Sequence, residues 1–494
     1  MNILAKPYLN KENYFYFIIF IFTIVSRLPS LNNPLIDVDE GFYLFTGGQL
    51  LHGYFPFVDI WDRKPFWLFF IYAFFHLFGS YRIIAYQVGA TLCVILTAIF
   101  IMKMARTIAS STGSLISSLL YVSYLNISGG EGGQSPVFYN YIVCAAIYIL
   151  LKYIINDKDN TQSLCHTAFK VMFLFGIALQ IKYTTVFEGV FSGCFLISIL
   201  YRKTYCIEKV ITQSLVWIFI ALLPTVSVAI FYFVFGYGHE WWFANINSIF
   251  HRGHRPPEIV RHQAIKLSLM VIPLVISIPF RHFFSPKMSK CQKSCSLFLN
   301  LWACSALLGV IVFGSWYTHY ALPLFPPLCI ACAPLWNKNI GKVWLSLLLC
   351  YSIVKGQASV AKHQRTRGDN TLFHTILRTM NSQKGCLFIY SGSPIFYDFY
   401  NFCHLTTRPF PGHFHELIEQ DATGMEPAKE ITRILAALPL YIMSREPALA
   451  GENTDVRRIL YQKLNTDYHL VFTAPQGDTS LTLYQLNTPA AAIH

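Results

Sequence analysis

Charged residues are scarce in this chain of 494 residues. Asp, Glu, Lys and Arg make up 13% of it, compared with roughly 25% in ordinary soluble domains. Hydrophobic residues make up 54%. This balance excludes an ordinary soluble enzyme, because so many apolar side chains must face lipid as well as a protein core. The composition predicts an integral membrane protein.

The sequence also lacks the patterns of a metal centre, a cleaved secretion signal or a nucleic-acid-binding protein. Its 13 Cys lie mostly in apolar segments and show no zinc-ligand spacing. The first apolar run, 15–25, is followed by Ser26-Arg27-Leu28-Pro29 instead of a small-residue cleavage site, so it is predicted to be a membrane span. The formal net charge of +13 comes from short basic clusters between apolar runs, where Lys and Arg set topology. No nucleic-acid partner is predicted.

Apolar stretches near the roughly 20 residues of a helical span predict about eleven transmembrane helices. They lie at 15–25, 83–103, 113–129, 137–153, 168–181, 184–201, 211–235, 264–280, 296–314, 319–335 and 341–355. Another run, 66–78, is short. If it does not cross, basic clusters such as Lys103/Arg106 share the side of the N-terminus, as the positive-inside rule requires. We therefore predict a helix at 66–80 on the outer face, a cytoplasmic N-terminus and an outer C-terminus.

A second composition begins at 356, where the pattern becomes that of a soluble α/β domain. Strands are predicted at 385–390, 438–443, 468–473 and 479–484, with helices at 426–437 and 453–464. The chain thus divides into a transmembrane domain, 1–355, and an extracytoplasmic α/β domain, 356–494. Cys386 and Cys403 lie in the second domain, where an oxidising compartment would permit a bridge.

The first outer loop, 31–65, holds the most informative polar residues. Asp-Glu-Gly-x-Tyr begins at Asp39, and Asp-x-Trp-Asp-x-Lys-Pro begins at Asp59, on either side of a short helical pattern. Helix capping is one interpretation of Asp39, since a carboxylate at a helix start is favoured. Two acidic clusters with a Lys around one helix at the membrane surface indicate more than capping. The segment is the primary candidate site.

These motifs, followed by an aromatic-rich helix, resemble the first outer loop of GT-C membrane glycosyltransferases. The nearest group is the dolichyl-phosphate-mannose protein mannosyltransferase-like one, which includes aminoarabinose transferases. The turn Gln180-Ile-Lys182 and the proline-rich stretch from His319 to Pro327 resemble later parts of the same family, so the likeness covers about 14–335. It implies a GT-C core and an inverting transfer of a sugar from a polyprenyl phosphate to an acceptor hydroxyl on the outer face.

The resemblance implies that Asp39 is the general base, with Glu40 orienting the base or the acceptor. General base catalysis by a placed carboxylate contributes roughly 100- to 10,000-fold. A leaving phosphate needs positive charge and hydrogen-bond donors. The remaining candidates for substrate binding are Lys64, Lys182, Arg63, His319 and Tyr320 around the carrier phosphate, and Asp59 and Asp62 for sugar hydroxyls or a cation.

Some of these residues have plainer interpretations. Lys64 could be an interfacial anchor that reaches the head groups, and His319 could belong to the aromatic belt. Lys182 is harder to explain, because it lies in a turn on the side that the positive-inside rule leaves poor in Lys. Asp62 with His239 could bind a divalent cation, although no ligand spacing requires it. No cofactor is otherwise predicted.

Two other function classes remain open at this stage. A lipid-linked sugar flippase or transporter also needs many spans, but transporters usually place charges near the bilayer midplane and contain paired repeats. A silent glycan-binding scaffold would not need the acidic motifs. The expected location is a bacterial inner membrane with the C-terminal domain in the periplasm. The sugar, and an acceptor among glycolipid, polysaccharide, lipopolysaccharide and protein, stay open.

Overall fold

The computed structural model describes residues 11–156, 160–284 and 288–487. In this part of the chain, nine helical stretches are long and apolar enough to cross a membrane. Their helices are α1 Lys11–Arg27, α4 Arg82–Ala105, α6 Ser135–Asn156, α7 Thr161–Leu179, α8 Val186–Thr204, α9 Ile207–Val234, α11 Pro257–Phe284, α12 Lys290–Phe313 and α14 Asn339–Arg367. The predicted polytopic α-helical membrane protein is confirmed.

The other two predicted spans are helical but differ from simple apolar spans. Residues 113–129 fall on α5, Ser111–Ile127, which is rich in Ser. Residues 319–335 form α13, Phe325–Cys332, between 3₁₀ turns at 318–324 and 333–337, because prolines in this stretch interrupt a regular helix. Both α5 and α13 are largely buried by neighbouring helices. A helix that is surrounded by protein does not need the apolar surface that lipid demands.

The predicted helix at 66–80 is α3, Phe66–His76. Its 11 residues extend about 16 Å at 1.5 Å per residue, roughly half of the hydrocarbon thickness. It packs against α2, Val38–Leu51. The two backbones are close: a Cβ on Gly47 would lie 2.5 Å from the amide nitrogen of Ala73. The helix is therefore too short to span, and its position on the outer face stays a prediction.

The boundary predicted at 355/356 falls inside α14, which ends only at Arg367. A four-stranded sheet follows, in the order β1-β2-β4-β3. β1 pairs parallel with β2, and the other neighbours pair antiparallel. The elements of this domain are α15 Asn370–Met380, β1 Leu387–Ile389, α16 Phe396–Phe399, α17 Gly412–His415, α18 Pro427–Ala436, β2 Tyr441–Glu446, α19 Thr454–Asp467, β3 Tyr468–Gln476 and β4 Thr479–Leu486. Cys386 and Cys403 form a disulfide.

The C-terminal domain is fastened to the membrane domain by buried charges and aromatic rings. The Asp398 carboxylate accepts hydrogen bonds from Arg82 Nε at 2.5 Å and pairs with His76 Nε2 at 2.9 Å. The amide of Trp61 donates to the Thr407 carbonyl at 2.8 Å. Phe42, on α2, packs edge-on against Phe410. The sheet domain therefore covers the first outer loop and helps to set its shape.

A candidate acid–lysine site at the first outer loop

The start of α2 is capped by Asp37, two residues before the predicted cap. Its carboxylate accepts from the backbone amide of Asp39 at 3.0 Å and from Gln134 Nε2 at 2.7 Å. Arg367, at the end of α14, forms an ion pair with Asp37 at 3.0 Å. Capping therefore occupies Asp37 and leaves the carboxylate of Asp39 for another use. Asp39 is therefore not the N-cap, although it lies in the first turn of α2 as expected for a carboxylate at a helix start.

The carboxylate of Asp39 is partly buried and surrounded by positive charge. One long hydrogen bond, 3.4 Å from Gln134 Nε2, is described for it. Burial acts to raise the pKa of Asp39, but the charge of Lys64, helped by the hydrogen bond from Gln134 and the charge of Lys182, prevails and lowers it. Asp39 is therefore ionised at neutral pH and can accept a proton.

Two lysines with different surroundings face this carboxylate. Lys64 Nζ lies 3.9 Å from Asp62 Oδ2 and 5.6 Å from the ring centre of Tyr43. Burial alone would lower the pKa of Lys64, but Asp62 and Asp39 raise it. Lys182 Nζ lies 4.3 Å from the ring centre of Tyr320. Burial, with repulsion from Lys64, lowers the pKa of Lys182 to about 7. Lys64 is thus a fixed cation, whereas Lys182 titrates near neutrality.

His319 lies on the other side of the same cluster. Its ring contacts the rings of Tyr317 at 5.5 Å and Tyr320 at 4.8 Å between centroids. Burial, strengthened by the charge of Lys182, lowers the pKa of His319 to about 3. The imidazole is therefore neutral at physiological pH, so it offers a hydrogen bond to a phosphate but no charge.

A narrow pocket extends from this cluster between α8 and α12. Its lining includes Lys182, Tyr320, Tyr139, Glu188 and Phe313. Glu188 is buried on α8 and accepts a hydrogen bond of 2.8 Å from Trp302 Nε1. The pocket therefore joins apolar and aromatic walls, at the level of the membrane helices, to the positive charge of Lys182.

Two predicted substrate-binding residues are engaged in other contacts. Asp59 accepts a hydrogen bond of 2.7 Å from the amide of Phe55, within its own turn. Arg63 makes a two-pronged contact with Glu419 of the C-terminal domain, at 3.0 and 2.5 Å. These contacts favour structural roles for Asp59 and Arg63 in place of the predicted contacts with sugar or phosphate.

The predicted cation site receives no geometric support. Asp62 is buried beside Lys64, whereas His239 is exposed on α10, Gly238–Trp242. Among the described residues there is no group of three or more His, Cys, Asp or Glu that could hold a metal ion. A cation at Asp62 and His239 stays a prediction.

Glu40 faces away from solvent, toward the loop that precedes α6. It is 1% exposed, and neither carboxyl oxygen has a hydrogen-bond partner among the described residues. A Cβ on Gly132 would lie 2.2 Å from Glu40 Oε2, so only glycine fits there. Burial, with repulsion from Asp37, raises the pKa of Glu40 to about 8. The side chain is therefore a neutral acid at pH 7.

We expect Glu40→Gln to stabilise the protein at neutral pH. A carboxyl whose pKa is raised in the folded state lowers the stability of the protein as pH rises from the unfolded pKa of about 4.5 toward 8. Glutamine avoids this loss, which is roughly 3 kcal/mol at pH 7 by the linkage relation. Thermal unfolding at pH 4.5 and pH 7 measures it: the gain should be present at pH 7 and small at pH 4.5. The exposed Glu258→Gln is the control; an equal gain at both pH values would contradict the argument.

Sequence reasoning missed three groups that hold the site together. Gln134 bridges Asp37 and Asp39, and Arg367 pairs with Asp37. Glu131, which was given no role, is buried and pairs with His363 Nδ1 at 2.5 Å. Glu131 and Gln134 could have been found from the sequence, because they are polar residues in a Gly-rich loop. No local signal indicated that α14 would reach the first loop.

Comparisons with known proteins agree with this architecture. The family model described as dolichyl-phosphate-mannose-protein mannosyltransferase matches residues 62–231. The crystal structure of ArnT from Cupriavidus metallidurans bound to undecaprenyl phosphate aligns with a TM-score of 0.59 at 12% identity, over 96% of this chain and 98% of that one. The same protein in the apo state gives 0.57 at 13% identity, over 96% and 97%. No match was found among curated proteins.

The predicted resemblance is confirmed at the level that these comparisons reach. The chain shares the fold of ArnT over nearly its whole length, and the segment matched by the family model contains Asp62, Lys64 and Lys182. Together with the apolar helices, this supports a multi-pass membrane protein with the fold of ArnT.

Proposed function

We propose that the protein is an inverting glycosyltransferase that moves a sugar from a polyprenyl phosphate to an acceptor hydroxyl at the outer face of the membrane. The observation that carries this proposal is the cluster of Asp39, Lys64 and Lys182 at the first outer loop, where Lys182 also lines an apolar pocket. The fold shared with ArnT, a protein solved with undecaprenyl phosphate, supports a polyprenyl phosphate as the donor carrier.

In the proposed reaction, the acceptor oxygen attacks the anomeric carbon of the donor sugar. A carbon–oxygen bond forms on one face, the bond to the carrier phosphate breaks on the other, and the hydroxyl proton passes to Asp39 Oδ2 or Oδ1. The carrier phosphate leaves with the bonding electron pair, and Lys64 and Lys182 stabilise its charge. Asp62 positions Lys64, while the buried Glu40 supports the start of α2 instead of touching substrate.

The pocket between α8 and α12 is the proposed place for the first prenyl units. Its lining combines apolar side chains of these two helices with Lys182 and Tyr320. His319, neutral at physiological pH, would donate a hydrogen bond to the phosphate. In this position the lipid part of the donor would lie among apolar side chains, with its phosphate beside Lys182.

The proposed location is a bacterial inner membrane, with the N-terminus in the cytoplasm and the C-terminal domain in the periplasm. Basic clusters such as Arg202/Lys203 and Lys338/Lys342 then lie in the cytoplasm, as the positive-inside rule favours. The disulfide Cys386–Cys403 suits an oxidising compartment. The N-terminal ten residues lie outside the part of the chain that the structure describes.

The titration of Lys182 predicts how carrier binding depends on pH. Because its pKa is about 7 in the free protein, and a bound phosphate favours the protonated amine, affinity for polyprenyl phosphate should fall about tenfold per pH unit above 7. Lys182→Arg keeps its charge at all these pH values, so its affinity should change much less. Dissociation constants between pH 6 and 9 test this. The ionisation of the phosphate affects both proteins equally. If the ratio of their two dissociation constants stayed constant from pH 6 to pH 9, the prediction would be contradicted.

The function itself is tested with purified protein in liposomes that contain a polyprenyl phosphate with a radiolabelled sugar. Lipids and glycans from a deletion strain serve as acceptors. A transferase releases free polyprenyl phosphate and labels one acceptor, with both products in equal amounts. A transporter would instead move the intact lipid-linked sugar across the bilayer without cleaving it. That outcome would overturn the proposal.

A further inference from the structure

A second group of cations lies outside the acid–lysine site, on helices α11 and α14. Trp344 Nε1, near the start of α14, donates to Ser277 Oγ, near the end of α11, at 2.9 Å. The two helices are therefore neighbours that run in opposite directions. Lys266 lies as many residues before Ser277 as Lys355 lies after Trp344, so the two lysines are at the same height along the pair.

A third lysine joins them. Lys362 follows Lys355 by two helical turns, which places both on one face of α14. Lys266 lies within electrostatic range of both Lys362 and Lys355. No ion pair with an acidic side chain is described for any of the three in the ranges that the structure covers. Their mutual repulsion is therefore uncompensated within the protein.

Both helices also reach the region of the candidate site. α11 packs on α13 and on the 3₁₀ turn at 318–324, which carries His319 and Tyr320. The inner face of α14 contacts the site through His363 and Arg367. The lysines thus lie at the end of the membrane domain that carries the site. There, the predicted topology gives them no role in orientation.

Large apolar side chains flank the lysines on the surface of both helices. Ile265 and Leu269 are exposed on α11, and Tyr351 and Val354 are exposed on α14. Three amines at the end of an exposed apolar surface match a molecule with a negative head group and hydrocarbon chains. A soluble anion would match the lysines but not the surface below them.

We propose that Lys266, Lys355 and Lys362 bind the phosphate head group of an anionic membrane lipid, whose chains lie along α11 and α14. The site is separate from the pocket between α8 and α12, and it does not depend on the proposed glycosyl transfer. Ordinary anchoring of single lysines in the head-group region would place them apart. Here Lys266 lies within electrostatic range of both other lysines.

The test is native mass spectrometry of the full chain, released from micelles that contain phosphatidylglycerol or phosphatidylcholine. We expect retained phosphatidylglycerol with the wild type and about 100-fold weaker binding when Lys266→Gln, Lys355→Gln and Lys362→Gln are combined, at roughly fivefold per lysine. The three Lys→Arg changes should keep the binding. Lys290→Gln, Lys338→Gln and Lys342→Gln, at the opposite ends of helices, form the matched control and should also keep it.

Several outcomes would overturn the proposal. Equal retention of phosphatidylcholine would show a nonspecific lipid shell, and loss in the opposite-end control would show a general charge effect. Glycerol phosphate that binds as tightly as the lipid would identify a soluble anion as the ligand. Melting in phosphatidylcholine micelles should be the same for the wild type and the Lys→Gln triple variant, which separates lost binding from lost folding.

Discussion

Replacing Asp39 by Asn is expected to lower kcat for sugar transfer by about 100- to 10,000-fold, the contribution of a placed general base. Asparagine keeps the size of the side chain and its contact with Gln134 but cannot take the acceptor proton. Asparagine removes an anion that repels the carrier phosphate, but also an anion that favours the charge of Lys182, so carrier binding should change far less than kcat. The measurement is the transfer rate under saturating donor, together with the dissociation constant for polyprenyl phosphate.

Asp59→Asn is the matched control, because this carboxylate closes a turn in the same loop. We expect it to retain most of the transfer rate. If Asp39→Asn retained full activity with normal expression, the role of Asp39 would be refuted. If Asp59→Asn lost as much as Asp39→Asn, the loop as a whole, instead of one base, would be the required feature.

The second large effect is expected at Glu419, the ion-pair partner of both Arg63 and Arg252. Its side chain is 6% exposed. Glu419→Gln leaves two partly buried guanidinium groups without their anion, and such a loss costs about 3–5 kcal/mol. Because Arg63 precedes Lys64, release of this contact should also weaken carrier binding. Thermal unfolding and limited proteolysis of the C-terminal domain measure the first effect, and carrier binding the second.

The pH dependence of stability tests whether the buried ion pair causes the defect of Glu419→Gln. Burial opposes ionisation of Glu419, but hydrogen bonds and charge from Arg63 lower its pKa to about 2. A lowered folded-state pKa stabilises the protein above the unfolded value near 4.5, and this stability is lost as pH falls toward 2. The defect of Glu419→Gln should therefore shrink over that range. Glu426→Gln, whose partner Lys429 is 81% exposed, should change stability by less than about 0.5 kcal/mol. An equal defect in both variants would rule out the buried ion pair as the cause.

Local sequence patterns were sufficient for most elements of this fold. Apolar runs predicted the long helices because lipid requires apolar side chains on all sides of a span. Alternation and turn residues predicted β3 and β4, which pair around Gly477. The same logic was weaker for α5 and α13, because protein instead of lipid surrounds them.

The candidate site was predictable in part. Lys182 was singled out because a lysine in that turn has no topological reason, and the structure places it opposite Asp39 and beside Tyr320. Asp59 and Arg63 were assigned substrate contacts because they share a motif with Lys64. Spacing along a loop cannot show which side chain points inward, so their local turn and interdomain ion pair were not predicted.

By itself, the sequence determined a polytopic helical membrane protein with an α/β domain and a charged first loop that resembles GT-C transferases. These features depend on periodicity and on motifs within a few dozen residues. Only the tertiary structure decided that Asp37 caps α2 and pairs with Arg367, that Arg63 binds Glu419, and that Asp39 keeps its charge between two lysines. The reason is physical: the charge and pairing of a buried group depend on neighbours from distant segments, and their approach is set by the packing of the whole chain.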